Sequence, residues 1–118
     1  MSTFRNLIIW QKSMELVTRI YIETKTFPKE ELYGLTSQIR RASVSIPSNI
    51  AEGYGRMGKN DYLRFLNIAI SSLFELQTQL EIGKNLSFLQ ENNFNILFED
   101  TREIERMLVS YIKKIKDS

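Results

Sequence analysis

The chain has 118 residues, of which 42% are hydrophobic and 25% charged, a balance typical of one globular domain spanning residues 1–118. It contains no cysteine and no histidine, which excludes disulfides, thiolate chemistry, Ser-His-Asp catalysis and histidine-containing metal sites. The formal net charge of +2 does not by itself indicate a nucleic-acid-binding protein.

Hydropathy along the chain gives no sign of a membrane protein. No apolar run approaches the ~18 residues of a transmembrane helix, and the N-terminus lacks the apolar core of a signal peptide. We therefore expect a cytoplasmic protein without a membrane partner.

Helical periodicity begins near the N-terminus. Apolar residues at helical spacing predict a first helix from about Leu7 to Lys25, with Ile20 beside the stripe. We expect the only tryptophan of the chain to anchor this helix in the core. The residues of the predicted buried stripe are Leu7, Trp10, Met14, Val17, Tyr21 and Thr24.

The second predicted helix contains Pro47. Proline normally ends a helix, because it lacks an N–H and its ring crowds the carbonyl four residues earlier, here that of Ser43. The apolar spacing nevertheless continues across it, which predicts one helix, capped by Thr36 or Ser37 and kinked or widened at Pro47. It runs to about Gly53, and its stripe consists of Leu35, Ile39, Ala42, Ile46, Ile50 and Gly53.

The third and fourth predicted helices have the widest apolar surfaces. The third runs from Asn60 or Asp61 to about Asn85, and the fourth begins at Asn92 or Asn93. Their heptad stripes are Tyr62, Leu66, Ala69, Leu73, Leu76, Leu80 and Gly83, then Phe94, Leu97, Thr101, Ile104, Leu108, Tyr111 and Ile115.

Additional apolar residues flank both stripes and cover more than the ~100° that a lone small bundle needs. We therefore expect a homo-oligomer. The interface candidates are Leu63, Phe65, Ile70, Phe74, Phe98 and Val109. Four long helices with short connections predict an all-α fold, an antiparallel up-down-up-down four-helix bundle.

No residue pattern indicates a catalytic, cofactor or metal site. The Glu-x-x-His pairs of di-iron bundles require histidine, which the chain lacks. The glycine-rich segment 53–58 lacks the ending of a P-loop and is interpreted as a helix-terminating turn. Glu75, within an apolar run, is expected to pair with an arginine such as Arg41 at a boundary between helices or between subunits. We expect no enzymatic activity, no cofactor, no metal and no small-molecule substrate.

Basic residues are expected to form one patch around one end of the hairpin made by the second and third predicted helices. The candidates for nucleic-acid binding are Arg40, Arg41, Arg56, Lys59 and Arg64. With Tyr54 and Tyr62 nearby, these side chains could bind phosphates and stack on a base. A solvated surface with ion pairs between subunits explains the same residues, and the sequence alone leaves both interpretations open.

The stretch from Tyr33 to Arg56, YGLTSQIRRASVSIPSNIAEGYGR, closely resembles the signature of the bacterial four-helix-bundle proteins of the 23S ribosomal RNA intervening-sequence family. Where that family often has Gly-Ser-Leu in the third helix, this chain has Ser71-Ser72-Leu73. Further segments fit the family pattern in order: Leu7, Trp10-Gln11, Phe27-Pro28, residues 65–69 and residues 72–80.

This resemblance implies an antiparallel bundle that assembles as a ring-like homopentamer without established catalytic activity. The chain is also similar to the accessory variability determinant of diversity-generating retroelements, a pentameric barrel that binds nucleic acid and reverse transcriptase. Two hypotheses follow. The first is a non-enzymatic oligomeric scaffold or binding protein. The alternative is a nucleic-acid-binding accessory factor, with RNA, DNA or a reverse transcriptase as its partner and a basic patch repeated around the ring.

Overall fold

A computed structural model describes residues 2–118, and these residues form four long helices without a strand. The all-α prediction is confirmed, and the architecture is that of a four-helix bundle. Short 3₁₀ turns at Phe4–Asn6 and Lys29–Glu31 precede the first two helices. The helices are α1 (Ile8–Thr24), α2 (Leu35–Tyr54), α3 (Lys59–Asn85) and α4 (Glu91–Lys116).

The helices pack in chain order around one core. Each helix contacts the next in sequence, and α4 contacts α1, so α1 lies diagonally from α3 and α2 from α4. The molecule measures 45 × 23 × 22 Å, with its long dimension close to the length expected for the longest helix.

The two ends of the bundle can be identified from side-chain contacts. At one end, Phe27 of the α1–α2 connection packs against Phe88 of the α3–α4 connection, with ring centroids 5.8 Å apart. We call this the double-connection end. At the opposite end, Tyr62 at the start of α3 shares a 2.8 Å hydrogen bond with Tyr111 near the end of α4. We call this the single-connection end, because it holds only the α2–α3 connection.

Three of the four predicted apolar stripes form the core. All six stripe residues of α2 are buried, and so are the stripes of α3 and α4 apart from half-buried residues at the single-connection end. Those half-buried residues are Tyr62, Tyr111 and Ile115. The heptad spacing therefore assigned the buried faces of these helices correctly.

The predicted stripe of α1 is wrong except at Thr24, which is buried. Met14 and Tyr21 are exposed, and Trp10 is only half-buried, packed against the core and edge-on to Phe4. These residues lie on the flank of α1 that faces α2. The residues buried in α1 are Ile9, Ser13, Leu16, Ile20 and Thr24.

Helix α2 is continuous through Pro47, as the apolar spacing predicted. The side chain of Asn49, two residues after the proline, donates a 2.8 Å hydrogen bond to the carbonyl oxygen of Ser45, two residues before it. The Ser45 hydroxyl also shares a 2.8 Å hydrogen bond with Ser72 of α3. Polar side chains near the proline thus bond the backbone and connect α2 to α3.

The predicted helix caps are wrong by two or three residues. Helix α2 begins directly after Gly34, and the Glu31 carboxylate accepts a 3.1 Å hydrogen bond from the Leu35 N–H. Helices α3 and α4 follow Gly58 and Gln90, and neither residue caps its helix through a side chain. None of these three helices therefore begins with an N-cap hydrogen bond from the predicted hydroxyl or amide side chains.

Candidate functional site

The structure separates the candidate basic residues into two groups. Arg40 and Arg41 lie in the second turn of α2, near the double-connection end, whereas Arg56, Lys59 and Arg64 lie at the single-connection end. Arg40 and Arg56 are sixteen residues apart, which along a helix is roughly 24 Å at about 1.5 Å per residue. The expectation of one basic patch around a single end of the α2–α3 hairpin is therefore wrong.

At the single-connection end, two arginines share one aromatic ring. The guanidinium carbons of Arg56 and Arg64 lie 4.9 and 4.5 Å from the centroid of the Phe65 ring. The ring attracts each cation by a cation–π interaction, so it holds both guanidinium groups near the same surface. Arg64 also lies 3.4 Å from Asp61, a long and exposed ion pair that leaves most of its hydrogen-bonding capacity free.

Lys59 occupies the same end. Its Nζ atom donates hydrogen bonds to the backbone oxygens of Lys116 and Ser118 at 3.2 and 2.9 Å. Beside it, burial and then the hydrogen bond with Tyr111 raise the pKa of Tyr62 above the ordinary value of 10. The phenol therefore stays neutral and links α3 to α4.

Cations dominate this end although the net charge of the chain is small. Segments 2–7, 52–64 and 110–118 together contain seven Lys and Arg residues against three Asp and Glu residues. Arg5 and the lysines at the end of α4 were not among the predicted residues, because only the fold brings them beside the α2–α3 connection. The seven cations are Arg5, Arg56, Lys59, Arg64, Lys113, Lys114 and Lys116.

Arg40 and Arg41 differ in their surroundings. Arg40 stacks on the ring of Tyr21, 4.7 Å from the guanidinium carbon to the ring centroid, and donates a 2.9 Å hydrogen bond to Thr24. Arg41 is exposed, and among residues 2–118 it forms no ion pair, with Glu75 or with any other acid. The pairing of Arg41 with Glu75 expected from the sequence is therefore absent within one chain.

A first apolar surface lies along the outer edge of α3 and α4. The Gln77 side chain bonds Thr101 and Glu105, so this flank of α3 faces α4. Phe74 precedes Gln77 by one turn and is 47% exposed, and Val109 follows Glu105 by one turn and is 53% exposed. We call this surface the α3–α4 edge. Its apolar residues are Leu63, Ile70, Phe74, Phe98 and Val109.

Five of the six interface candidates thus share one side of the molecule. The exception is Phe65, which is only 6% exposed within a single chain. It faces α2, where its Cβ atom approaches Gly53, and its ring lies under Arg56 and Arg64. Phe65 consequently has little surface left to offer another subunit.

A second apolar surface, which the sequence analysis did not identify, is a groove of about 400 Å³ between α1 and α2. We call it the α1–α2 groove. Its signal was present in the sequence, because these α1 residues follow helical spacing, but they were assigned to the core. The groove is lined by Trp10, Met14, Val17, Val44, Pro47, Ser48 and Ala51.

The face between α1 and α4 is different, because it contains ion pairs. Lys12 lies 3.0 Å from Glu103 and Arg19 lies 2.6 Å from Asp100. The hydrogen bond to Glu103 raises the pKa of Lys12. In the part of the chain that the structure describes, no group of three acidic residues could hold a metal ion, and no helix is long and apolar enough to cross a membrane.

Comparison with known proteins gives a family and a structural neighbour. A family model described as 23S rRNA-intervening sequence protein matches residues 5–110. The chain is similar to a crystal structure of a protein with unknown function from the S23 ribosomal protein family of Bacteroides thetaiotaomicron VPI-5482. The two are 27% identical with a TM-score of 0.84, over 90% of this chain and 99% of the other. No curated protein matches the chain.

Proposed function

The chain belongs to the 23S rRNA-intervening sequence protein family, and from this premise we propose that it is a non-enzymatic protein that acts as a homo-oligomeric scaffold. The observation that carries the proposal is the α3–α4 edge, where Phe74 and Val109 expose about half of their surface beside other apolar side chains. Contiguous apolar patches on a protein surface mark interaction sites. A second copy is the partner we propose.

The architecture of the proposed assembly is a ring of antiparallel up-down-up-down bundles. Contacts between the start of α3 and the end of α4, and between the α1–α2 and α3–α4 connections, support the antiparallel arrangement. The family resemblance implies five copies. In this proposal α2 bends at Pro47, because the proline leaves the Ser43 carbonyl without its helical donor.

Light scattering coupled to gel filtration tests the proposal. We expect wild-type protein at micromolar concentration to have the mass of five 13.9 kDa chains, about 70 kDa. The Phe74→Glu/Val109→Glu variant should shift toward the monomer, because assembly would bury two charges. Ile22→Glu is the matched control, since Ile22 is equally exposed but lies on another face of the bundle. A monomeric wild type would refute the scaffold proposal.

A second candidate function, nucleic-acid binding, is favoured by one specific observation: the seven cations gathered at the single-connection end. A ring that repeats this surface would present the cations several times, and multivalent contact can turn a weak site into measurable binding. Because binding to phosphates releases condensed counterions, affinity must fall steeply as salt rises.

A fluorescence-anisotropy titration with a labelled single-stranded oligonucleotide at two salt concentrations tests this candidate. Arg56→Glu/Arg64→Glu should abolish binding at low salt, whereas Lys25→Glu/Lys29→Glu, which reverses two exposed charges at the double-connection end, should leave it nearly unchanged. Circular dichroism checks that both variants remain folded. Absence of wild-type binding at low salt, or equal binding by the Arg56→Glu/Arg64→Glu variant, would exclude this function for the single-connection end.

A further inference from the structure

Two different apolar surfaces lie on opposite sides of one protomer. The α1–α2 groove is formed by one pair of neighbouring helices, and the α3–α4 edge by the other pair. Resting on the proposed homo-oligomer, we propose that the contact between copies is heterologous: the α3–α4 edge of one copy packs into the α1–α2 groove of the next.

Both apolar surfaces are exposed in a single protomer, which supports an assembly in which each copy uses one surface for one neighbour and the other surface for the next. Met14 and Val44 in the groove are 42% and 40% exposed, comparable with the residues of the α3–α4 edge. An isologous contact uses one surface patch on both copies and would leave the other apolar surface in water. A heterologous contact covers both at once, and each copy can bind one neighbour through each side.

The two surfaces are also complementary in charge. Arg41 precedes the groove residue Val44 by about one turn of α2, toward the double-connection end. Arg41 forms no ion pair among residues 2–118. On α3, Glu81 is exposed, forms no ion pair within residues 2–118 and lies beside Phe98 of the α3–α4 edge. Glu81 belongs to the same end of the bundle, because Gly83 packs against Phe27.

If the protomers of the ring are parallel, residues at the same height along the bundle axis lie opposite each other in neighbouring copies. The Ser45–Ser72 hydrogen bond places Val44 and Phe74 within about one turn of the same height along the bundle. It follows that Val44 of one copy should face Phe74 of the next. Arg41 and Glu81 both lie from that hydrogen bond toward the double-connection end, at heights that differ by about 7.5 Å. The long arginine side chain spans this difference, so Arg41, left ambiguous by the sequence, forms an ion pair with Glu81 of the next copy.

The face between α1 and α4 is a weaker candidate for this contact. It exposes Ile8 and Ile22, but the pairs Lys12–Glu103 and Arg19–Asp100 lie across it. A subunit covering this face would have to remove these charges from water, which costs free energy that the interaction within each pair does not fully return.

Cysteine cross-linking tests the pairing directly, since the natural chain has no cysteine. We expect Val44→Cys/Phe74→Cys, treated with a short bis-maleimide, to give a ladder of linked species on a denaturing gel. Each single variant should give only monomers, and an equimolar mixture of the two should stop at dimers. Ile22→Cys/Phe74→Cys is the matched control and should not be linked.

The outcomes separate this inference from the scaffold proposal. Dimers from either single variant would show an isologous contact and overturn the inference. An oligomer by light scattering in which Val44→Cys/Phe74→Cys is not linked would overturn it while leaving the scaffold intact. A monomeric wild type would overturn the scaffold and the inference together.

A charge exchange tests the ion pair separately. Arg41→Glu and Glu81→Arg should each weaken assembly, by about two- to tenfold in the dissociation constant, because each places like charges opposite one another. The variant with both changes should recover wild-type assembly. Failure of the combined variant to recover would exclude the Arg41–Glu81 pair.

Discussion

The contact between α2 and α3 at Gly53 gives the sharpest stability prediction. A Cβ atom on residue 53 would lie 2.7 Å from the Cβ of Phe65 and 3.0 Å from Cδ1 of Tyr62. Carbon atoms pack best at about 3.5–4.0 Å, so the two helices would have to separate by nearly 1 Å. The clash involves an atom fixed to the α3 backbone, which a change of rotamer cannot relieve.

Two opposing effects determine how much Gly53→Ala changes the free energy of unfolding. Overpacking of this kind costs about 1–3 kcal/mol, whereas alanine in place of glycine inside a helix gains roughly 1 kcal/mol. Gly83 supplies the matched control, because it is also buried in a helix but its added Cβ would lie 3.4 Å from Phe27, at ordinary contact. The stabilisation that comes from the higher helix propensity of alanine is the same in both variants.

We therefore expect Gly83→Ala to be as stable as the wild type or slightly more stable. Gly53→Ala should be less stable than Gly83→Ala by about 1–3 kcal/mol. Urea unfolding followed by circular dichroism at 222 nm measures both, at matched protein concentration because assembly also affects apparent stability. Equal stability of the two variants would refute the close approach of α2 and α3.

Three smaller predictions concern other special positions. Pro47→Ala restores the backbone donor for the Ser43 carbonyl, so the bundle should stay folded. Urea unfolding should show no decrease in the free energy of unfolding beyond the small decrease caused by the shorter side chain. Ser87 has a φ of 63°, and Ser87→Gly should raise the free energy of unfolding by up to about 1 kcal/mol in the same assay. Tyr62→Phe should cost about 0.5–1.5 kcal/mol at neutral pH through the lost hydrogen bond to Tyr111. Above pH 10 the unfolded phenol releases its proton while folded Tyr62 keeps it, so wild-type stability should fall more steeply with rising pH than that of Tyr62→Phe.

The sequence predicted most of the fold because three helices each have one dominant apolar stripe. Helix α1 has two adjacent stripes, and its true core stripe includes the polar residues Ser13 and Thr24. Each of these hydroxyls donates a hydrogen bond to the carbonyl one turn earlier, at 2.6 and 2.7 Å, which offsets the cost of burying it. Ser13 nevertheless counted against burial of this stripe, so periodicity selected the neighbouring stripe with Trp10, which shares only Thr24 with the true one.

The candidate sites were harder to predict, because residues that are close in a helical sequence can lie far apart in the folded protein. The length of α2 separates Arg41 from Arg56, whereas folding brings the Nζ atom of Lys59 within 3.2 Å of the backbone oxygen of Lys116, 57 residues later. The α1–α2 groove was also not predicted. Its α1 residues follow helical spacing, but periodicity does not determine how two helices are rotated relative to each other, so these residues were assigned to the core. The α3–α4 edge was predictable, since its residues flank unambiguous heptads.

The half-buried Trp10 has a practical consequence. It is the only tryptophan in the chain, and it lines the groove in which we place the neighbouring copy. Indole emission shifts to longer wavelength when the ring meets water, so an unlabelled sample carries its own optical reporter of subunit separation. If dilution shifts the emission while the far-ultraviolet dichroism stays constant, the subunits separate before the helices unfold. A single coincident transition would instead mean that a protomer cannot persist alone.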